Sequence, residues 1–76
     1  MKWIWTTHIE RQLIERKIPK ELVENAITHP DETVQGKEGR VIYHKMLTDK
    51  LLRVVTESDK IITAYFTNKI KKYWKG

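Results

Sequence analysis

The chain is 76 residues long, which is enough for one small domain with a thin hydrophobic core. It contains no cysteine, which excludes disulfides, thiolate metal sites and a Cys nucleophile. Its first residues lack the apolar run of about 7–15 residues that a secretory signal needs, and no stretch approaches the roughly 20 apolar residues that span a membrane. We therefore expect a single cytoplasmic domain over residues 1–76 with no membrane partner.

Basic residues are concentrated in the second half of the chain. Residues 1–36 contain five Lys or Arg and six Asp or Glu, a net charge of −1, whereas residues 37–76 contain ten and four, a net charge of +6. After Asp59 every charged side chain is a lysine. A basic half favours a phosphate-bearing or acidic partner, although a solvated surface accounts for a run of charges equally well.

The segment TTHIERQLIERK predicts a first helix over about 7–17. Thr7 and Glu10 are three residues apart, which is the spacing of a capping box and indicates a helix start. Apolar residues at helical spacing then predict the buried side of this helix: Ile9, Leu13 and Ile14.

A second helix is predicted over about 19–28. Pro19 suits its first turn, where the missing N–H has no partner to lose. Its apolar stripe consists of Leu22, Val23, Ala26 and Ile27. Because His29 precedes Pro30, helical geometry is disfavoured at His29 and the helix should end there.

From residue 32 the apolar pattern changes to a period of two, which is typical of strands. Four strands are predicted, over about 32–36, 40–47, 51–57 and 60–67. The segments between them are short enough for hairpins. The fold class we expect is α+β, with two N-terminal helices packed on one face of a four-stranded antiparallel meander. A basic tail, 68–76, follows, in which Ile70, Tyr73 and Trp74 have helical spacing; it is either one more helical turn docked on the domain or a frayed end.

The lengths of the hairpin loops decide which side chains share a face of the sheet. Two-residue loops would mix polar and apolar side chains on both faces, and neither loop has the Gly of a tight turn. We therefore expect odd loops after the second and third strands. The polar face would then consist of Tyr43, Lys45, Arg53, Thr63, Tyr65 and Thr67, and the core face of Ile42, His44, Met46, Leu52, Val54, Ile62, Ala64 and Phe66.

Hydroxyls and cations on one sheet face are suited to phosphates, because both donate hydrogen bonds to anionic oxygens. Tyrosine rings there can also stack on unpaired bases. The nucleic-acid-binding candidates are Tyr43, Lys45, Thr63, Thr67, Lys69, Lys71 and Lys72. The alternative is that Thr and Tyr only favour strands and face solvent.

Several short motifs carry a family resemblance. The stretches HIER, ERKI and HPDE, followed by LRVV and a TAY strand, resemble the small bacterial and archaeal proteins of domain-of-unknown-function family 4258. The matching positions are His8, Arg11, Arg16, Ile18, Pro30, Arg40, Tyr43, Leu52 to Val55, Thr63 and Tyr65. Lys17 stands where that pattern often has Gly, and Pro19 stands where a Ser cap is common. Both departures concern the turn between the helices.

The order of two helices and four strands is in turn similar to that of the metal-independent ribonuclease toxins of the RelE and BrnT kind. This likeness implies a RelE-like architecture and a toxin–antitoxin setting. It is an analogy of fold, which does not determine function.

Metal-free RNA cleavage requires a base for the 2′-hydroxyl, cations for the phosphate and an acid for the leaving oxygen. The catalytic candidates are His8, Arg11, Arg53 and Tyr65. The dipole of the first helix disfavours a proton on His8, which would suit a base. The stronger alternative is that His8 and Arg11 only tie the helix to the sheet or to a backbone carbonyl. We expect His29 to be a helix C-cap and His44 to be a buried, hydrogen-bonded histidine.

No cofactor or metal is expected, because the three histidines are far apart and no acidic pair has ligand spacing. There is also no Gly-rich phosphate loop. Three functions stay open: an RNA-cleaving, toxin-like enzyme, a non-catalytic nucleic-acid-binding module, and a domain that binds an acidic protein such as an antitoxin. We expect a monomer or a weak homodimer.

Overall fold

The computed structural model describes residues 2–74, so the end of the basic tail lies outside the described part. The helices are α1 (Thr7–Arg16), α2 (Lys20–Thr28) and α3 (Ile70–Tyr73), and a 3₁₀ turn spans Lys37–Gly39. The strands are β1 (Glu32–Gln35), β2 (Arg40–Met46), β3 (Leu51–Glu57) and β4 (Lys60–Thr67). They form one antiparallel sheet in the order β1-β2-β3-β4. This architecture confirms the α+β fold class. It also shows that part of the basic tail is a short helix.

Helix α1 is capped one residue earlier than its sequence indicated. Thr6, not Thr7, is the N-cap residue, because its backbone is extended and its hydroxyl accepts a hydrogen bond from the Ile9 N–H at 3.2 Å. The helix ends at Lys17, which has left-handed backbone angles (φ 55°, ψ 45°) and whose N–H bonds back to carbonyls of the last turn. Lys17 thus occupies a position that usually selects glycine.

The second helix begins after Pro19, which is its N-cap residue. It ends at Thr28, and the His29 N–H donates to the Asn25 carbonyl at 2.8 Å. His29 therefore caps the helix through its backbone.

The hydrophobic core lies between α1, α2 and one face of the sheet. Its buried members are Ile9, Leu13, Ile18, Val23, Ala26, Ile27, Leu52, Val54, Ile61 and Ala64. Trp3 and Trp5 pack against this core from the N-terminal segment, and Ile4 in the same segment pairs with Lys60 at the start of β4. Ile14 is not part of it: its side chain is 78% exposed, because it lies at the margin of the apolar stripe.

The predicted register between β2 and β3 is wrong. Arg53 lies directly opposite His44, and residues opposite each other in an antiparallel pair share a face. The β2–β3 loop contains the four residues 47–50, closed by a hydrogen bond from the Leu47 N–H to the Lys50 carbonyl at 2.9 Å. Because the loop has an even number of residues, the side chains of β2 lie on the opposite faces, relative to β3, from those predicted. The loop moves Ile42, His44 and Met46 to the face of Arg53, and Tyr43 and Lys45 to the face that α1 and α2 cover.

Between β3 and β4 the predicted sharing of one face by Arg53, Tyr65 and Thr67 is correct, for a different reason, but Ile61 and not Ile62 is the buried core residue. The turn contains only two residues, Ser58 and Asp59, which alone would have placed Tyr65 away from Arg53. A β-bulge at Val55 and Thr56 leaves Ile62 without a partner and shifts the register, so that Arg53 pairs with Tyr65. We call the face away from α1 and α2 the distal face; it includes His44, Arg53, Tyr65 and Thr67.

Candidate functional site

Arg53 lies near the middle of β3, on the distal face, and its side chain is half-buried. Central placement in the sheet gives it neighbours on both adjacent strands, His44 on β2 and Tyr65 on β4. Tyr73, from α3, lies above it. We refer to Glu32, His44, Arg53, Tyr65 and Tyr73 as the Arg53 cluster.

His44 positions the guanidinium of Arg53. The Arg53 Nε–H donates to His44 Nε2 at 3.2 Å, and His44 Nδ1 lies 2.9 Å from a carboxylate oxygen of Glu32. Since arginine can only donate, His44 Nε2 must be the acceptor, and the ring proton must be on Nδ1, where it is donated to Glu32. The imidazole is therefore a neutral link between an anion and a cation, and it is only 1% exposed.

Tyrosines hold the other side of the guanidinium. Arg53 Nη1 donates to the hydroxyl of Tyr65 at 2.6 Å. The ring centre of Tyr73 lies 3.8 Å from Arg53 Cζ, which is the geometry of a cation–π contact. Trp74 lies beside His44, with a distance of 6.3 Å between ring centres. Helix α3 therefore covers part of the distal face with two aromatic rings.

The pKa values of Tyr65 and Tyr73 are shifted in opposite directions. Burial raises the pKa of Tyr65, and the neighbouring Tyr73 raises it further, against the opposing effect of Arg53. Desolvation alone would raise the pKa of Tyr73 as well, but the positive charges of Lys72 and Arg53 help to lower it. The hydroxyl of Tyr73 therefore gives up its proton more readily than that of Tyr65.

The predicted base, His8, belongs to a second group of side chains at the junction of α1 and β4. The side-chain amide of Gln12 makes both bonds: its Nε2 donates to His8 Nε2 at 2.7 Å, and its Oε1 accepts from the Thr63 hydroxyl at 2.7 Å. Arg16 donates to the Ala64 carbonyl at 2.8 Å, on the outer edge of the sheet. Gln12 and Arg16 tie α1 to β4, while the described hydrogen bond of His8 lies within its own helix.

The remaining predicted site residues fall into three places. Arg11 is exposed on α1. Tyr43 packs edge-on against Trp3, with 6.0 Å between ring centres, and Lys45 donates to the His29 carbonyl at 2.9 Å; both lie on the helix-covered side, apart from Arg53. The Thr67 hydroxyl oxygen accepts from the Lys69 N–H at 3.0 Å. Around α3 the exposed lysines are Lys69, Lys71 and Lys72.

Three members of the Arg53 cluster were not expected there: Glu32, His44 and Tyr73. The helical spacing of Ile70, Tyr73 and Trp74 was the sequence signal for a docked α3. No comparable signal existed for Glu32 and His44, since their approach to Arg53 depends on the four-residue loop between β2 and β3.

Two kinds of feature are absent from the described residues. Within residues 2–74 no group of three or more His, Asp or Glu side chains is arranged to hold a metal ion. None of the helices in that range is long and apolar enough to cross a membrane.

The comparisons with known proteins identify a family but no function. The model of a family described as a domain of unknown function (DUF4258) matches residues 5–66, which confirms the resemblance seen in the sequence motifs. Helix α3 lies beyond the matched residues. Neither the curated proteins nor the solved structures gave a match, so the similarity to RelE and BrnT toxins stays a prediction.

Proposed function

The chain belongs to the DUF4258 family of domains of unknown function, and from its own residues we propose that it binds single-stranded RNA through Arg53 and the lysines around α3. The observation that carries the proposal is the geometry of Arg53. A cation is held by side chains on both neighbouring strands, and it lies against the Tyr73 ring, whose centre is 5.3 Å from Nζ of the exposed Lys72.

The held guanidinium is suited to a phosphate. Its Nε and Nη1 atoms are engaged by His44 and Tyr65, while among residues 2–74 no acceptor is bonded to Nη2. Two N–H groups on a fixed, planar cation can therefore meet the oxygens of a phosphate, and fixing the side chain beforehand lowers the entropy lost on binding.

Other side chains in this part of the protein supply groups that contact the phosphates, bases and riboses of a nucleic-acid strand. Lys69, Lys71 and Lys72 are exposed, and the sequence contains no acidic residue after Asp59. Such lysines follow a phosphate backbone without reading its sequence. Tyr65 supplies an aromatic face of the kind that unpaired bases stack on. The hydroxyl of Thr67 is a hydrogen-bonding group of the kind that contacts a ribose 2′-hydroxyl.

The placement of the two histidines favours binding over cleavage by a histidine base. A ribonuclease site needs a base and a cation close to one phosphate position. His8 is bonded to Gln12 at the junction of α1 and β4, outside the Arg53 cluster. His44 is close to Arg53, but it is buried and both of its ring nitrogens are engaged. Neither histidine is placed to take a proton from a ribose beside Arg53.

The test is the affinity of the purified protein for a short, fluorescein-labelled single-stranded RNA, measured by anisotropy. Removing one charge-assisted phosphate contact costs about 1.5–3 kcal/mol, so Arg53→Gln should weaken binding by about tenfold or more. The matched control is Lys37→Gln, which removes the same charge from the exposed 3₁₀ turn. It should leave the affinity within about twofold.

Two other results would contradict the proposal. Cleavage of the RNA in EDTA would make the protein a metal-independent ribonuclease, as the likeness to RelE implies. If both variants weakened RNA binding equally and kept the wild-type melting temperature, Arg53 would contribute no more to binding than an exposed lysine does. If no RNA is retained, the alternative is a protein partner, for which the exposed Ile14 above a groove of about 400 Å³ is the candidate surface.

A further inference from the structure

Tyr73 covers one face of the Arg53 guanidinium. Its ring centre lies 3.8 Å from Cζ, within the distance at which a nucleobase stacks on an arginine plane. We propose that this face of Arg53 is a stacking position for a nucleobase, which Tyr73 occupies in the absence of RNA, and that α3 moves away to admit the base. This inference rests on the proposed RNA binding.

Helix α3 is weakly held, as a displaceable element must be. It has four residues and no buried side chain, and a helix this short is not stable without tertiary contacts. Its single turn includes hydrogen bonds from the Lys72 N–H to the Lys69 carbonyl at 3.1 Å and from the Trp74 N–H to the Ile70 carbonyl at 2.7 Å. Its described contacts with the Arg53 cluster are the cation–π contact of Tyr73 with Arg53 and the tilted approach of Trp74, its C-cap residue, to the His44 ring. Both are aromatic contacts that a base can replace.

The Arg53 site does not depend on α3 for its shape. The hydrogen bonds from Arg53 to His44 and Tyr65, and the one between His44 and Glu32, join residues of the sheet alone. When Tyr73 leaves, the guanidinium stays oriented and one of its faces becomes accessible. The ring of Tyr65, whose centre is 5.6 Å from Arg53 Cζ, then borders the vacated position.

Movement of α3 also changes where its lysines lie. Lys71 and Lys72 are on the helix, and Lys69 precedes it. Since Asn68 and Lys69 connect α3 to β4, the lysines stay tethered to the end of β4 when the ring is displaced. A base on Arg53 would therefore have its flanking phosphates within reach of these cations, so opening would add stacking without removing charge.

Competition between Tyr73 and the base has a measurable consequence. The apparent dissociation constant equals the intrinsic constant divided by the fraction of molecules in the open state. With about one molecule in ten open, Tyr73→Ala should tighten the binding of oligo(A) RNA about tenfold. Tyr73→Phe is the matched control, because it keeps the ring over Arg53 and loses only the hydroxyl; its affinity should equal that of the wild type.

Binding of a second RNA, which lacks bases, tests whether a base or a phosphate takes the place of the Tyr73 ring. An abasic oligoribonucleotide has the phosphates but no bases, so Tyr73→Ala should give no gain in affinity for it. An equal gain for both RNAs would overturn the stacking position, because the ring would then be blocking phosphate rather than a base. Unchanged or weaker binding of oligo(A) by Tyr73→Ala would overturn the displacement of α3.

The same measurements separate this inference from the proposed function. If wild type binds oligo(A) and Arg53→Gln weakens that binding, the proposed function holds whatever Tyr73→Ala does. If neither the wild type nor Tyr73→Ala binds RNA, both proposals are overturned.

Discussion

At the scale of single residues, the geometry of Arg53 depends on groups that cannot exchange roles. Arginine only donates and Glu32 accepts, so His44 between them has to be the neutral tautomer with its proton on Nδ1. Lysine would not replace Arg53, because a single ammonium lacks the planar fork that reaches His44 and Tyr65 together. The role of Arg53 is therefore a property of this set of partners and not of its charge alone.

Alkaline titration tests the interaction between Tyr65 and Tyr73. The ordinary tyrosine pKa is 10.0; the pKa of Tyr73 is lowered, so its ring should ionise first, and that of Tyr65 is raised, so its ring should ionise last. Tyrosinate absorbance should lose its earliest phase in Tyr73→Phe and its latest phase in Tyr65→Phe. Loss of the latest phase in Tyr73→Phe would contradict the assignment.

The same directions determine how stability depends on pH. Tyr65 has a folded-state pKa above that of the unfolded chain. Its contribution is fully present below the ordinary value of 10.0 and is lost as pH rises through the raised folded pKa. Tyr73 has the opposite sign: its contribution is present above 10.0 and is lost as pH falls through its lowered folded pKa.

At the scale of elements, the backbone conformation at the end of α1 is strained. Lys17 adopts left-handed angles, which cost a residue with a side chain about 1–2 kcal/mol and cost glycine almost nothing. Such a position usually carries glycine. The turn nevertheless forms, with the Ile18 N–H bonded to the Leu13 carbonyl at 2.9 Å.

Lys17→Gly should therefore stabilise the protein. Relief of the backbone strain exceeds the extra entropy that glycine has in the unfolded chain, and the expected gain is about 0.5–1 kcal/mol in urea denaturation. Glu15→Gly is the control, since Glu15 is exposed within α1 and has ordinary helical geometry; it should lose about 1 kcal/mol. A loss in both variants would mean that the Lys17 side chain stabilises the helix end through the helix dipole.

At the scale of the whole molecule, the charge is unevenly distributed. The half with a net charge of +6 forms β2, β3, β4 and the exposed lysines around α3. The half with a net charge of −1 forms α1, α2 and β1. If the proposed RNA binding holds, this charge distribution should attract the strand to the part of the surface that includes Arg53, and the attraction should weaken as salt increases.

Replacing Lys69, Lys71 and Lys72 together by Gln should flatten the salt dependence of RNA affinity. Each phosphate contact on a single strand contributes about −0.7 to the slope of log affinity against log salt, so three lost contacts should reduce the slope by about 2. The control replaces Lys2, Lys17 and Lys37, which are also exposed and remove the same charge. An unchanged slope in the first variant, or an equal change in both, would exclude the lysines around α3 from the site.

Much of the fold could be predicted because its signals are local. Capping residues, Pro19, the His29-Pro30 pair and the change from helical to strand periodicity depend on neighbours within a few residues, and they led to the observed element order. The pairing of Arg53 with the hydroxyls of β4 was also expected. Its actual cause, a two-residue turn combined with a bulge at Val55 and Thr56, was not.

The sequence by itself therefore determined the α+β architecture, the basic half of the chain and Arg53 as a candidate site residue. Only the tertiary structure decided what surrounds Arg53. A period of two assigns side chains to alternate sides of one strand, but the relation between strands depends on loop length and bulges, and one residue reverses it. The four-residue loop placed His44 beside Arg53 and Tyr43 in contact with the core. Long-range docking of α3 placed Tyr73 on the guanidinium, because that contact joins residues that are distant in the chain and brought together only by folding.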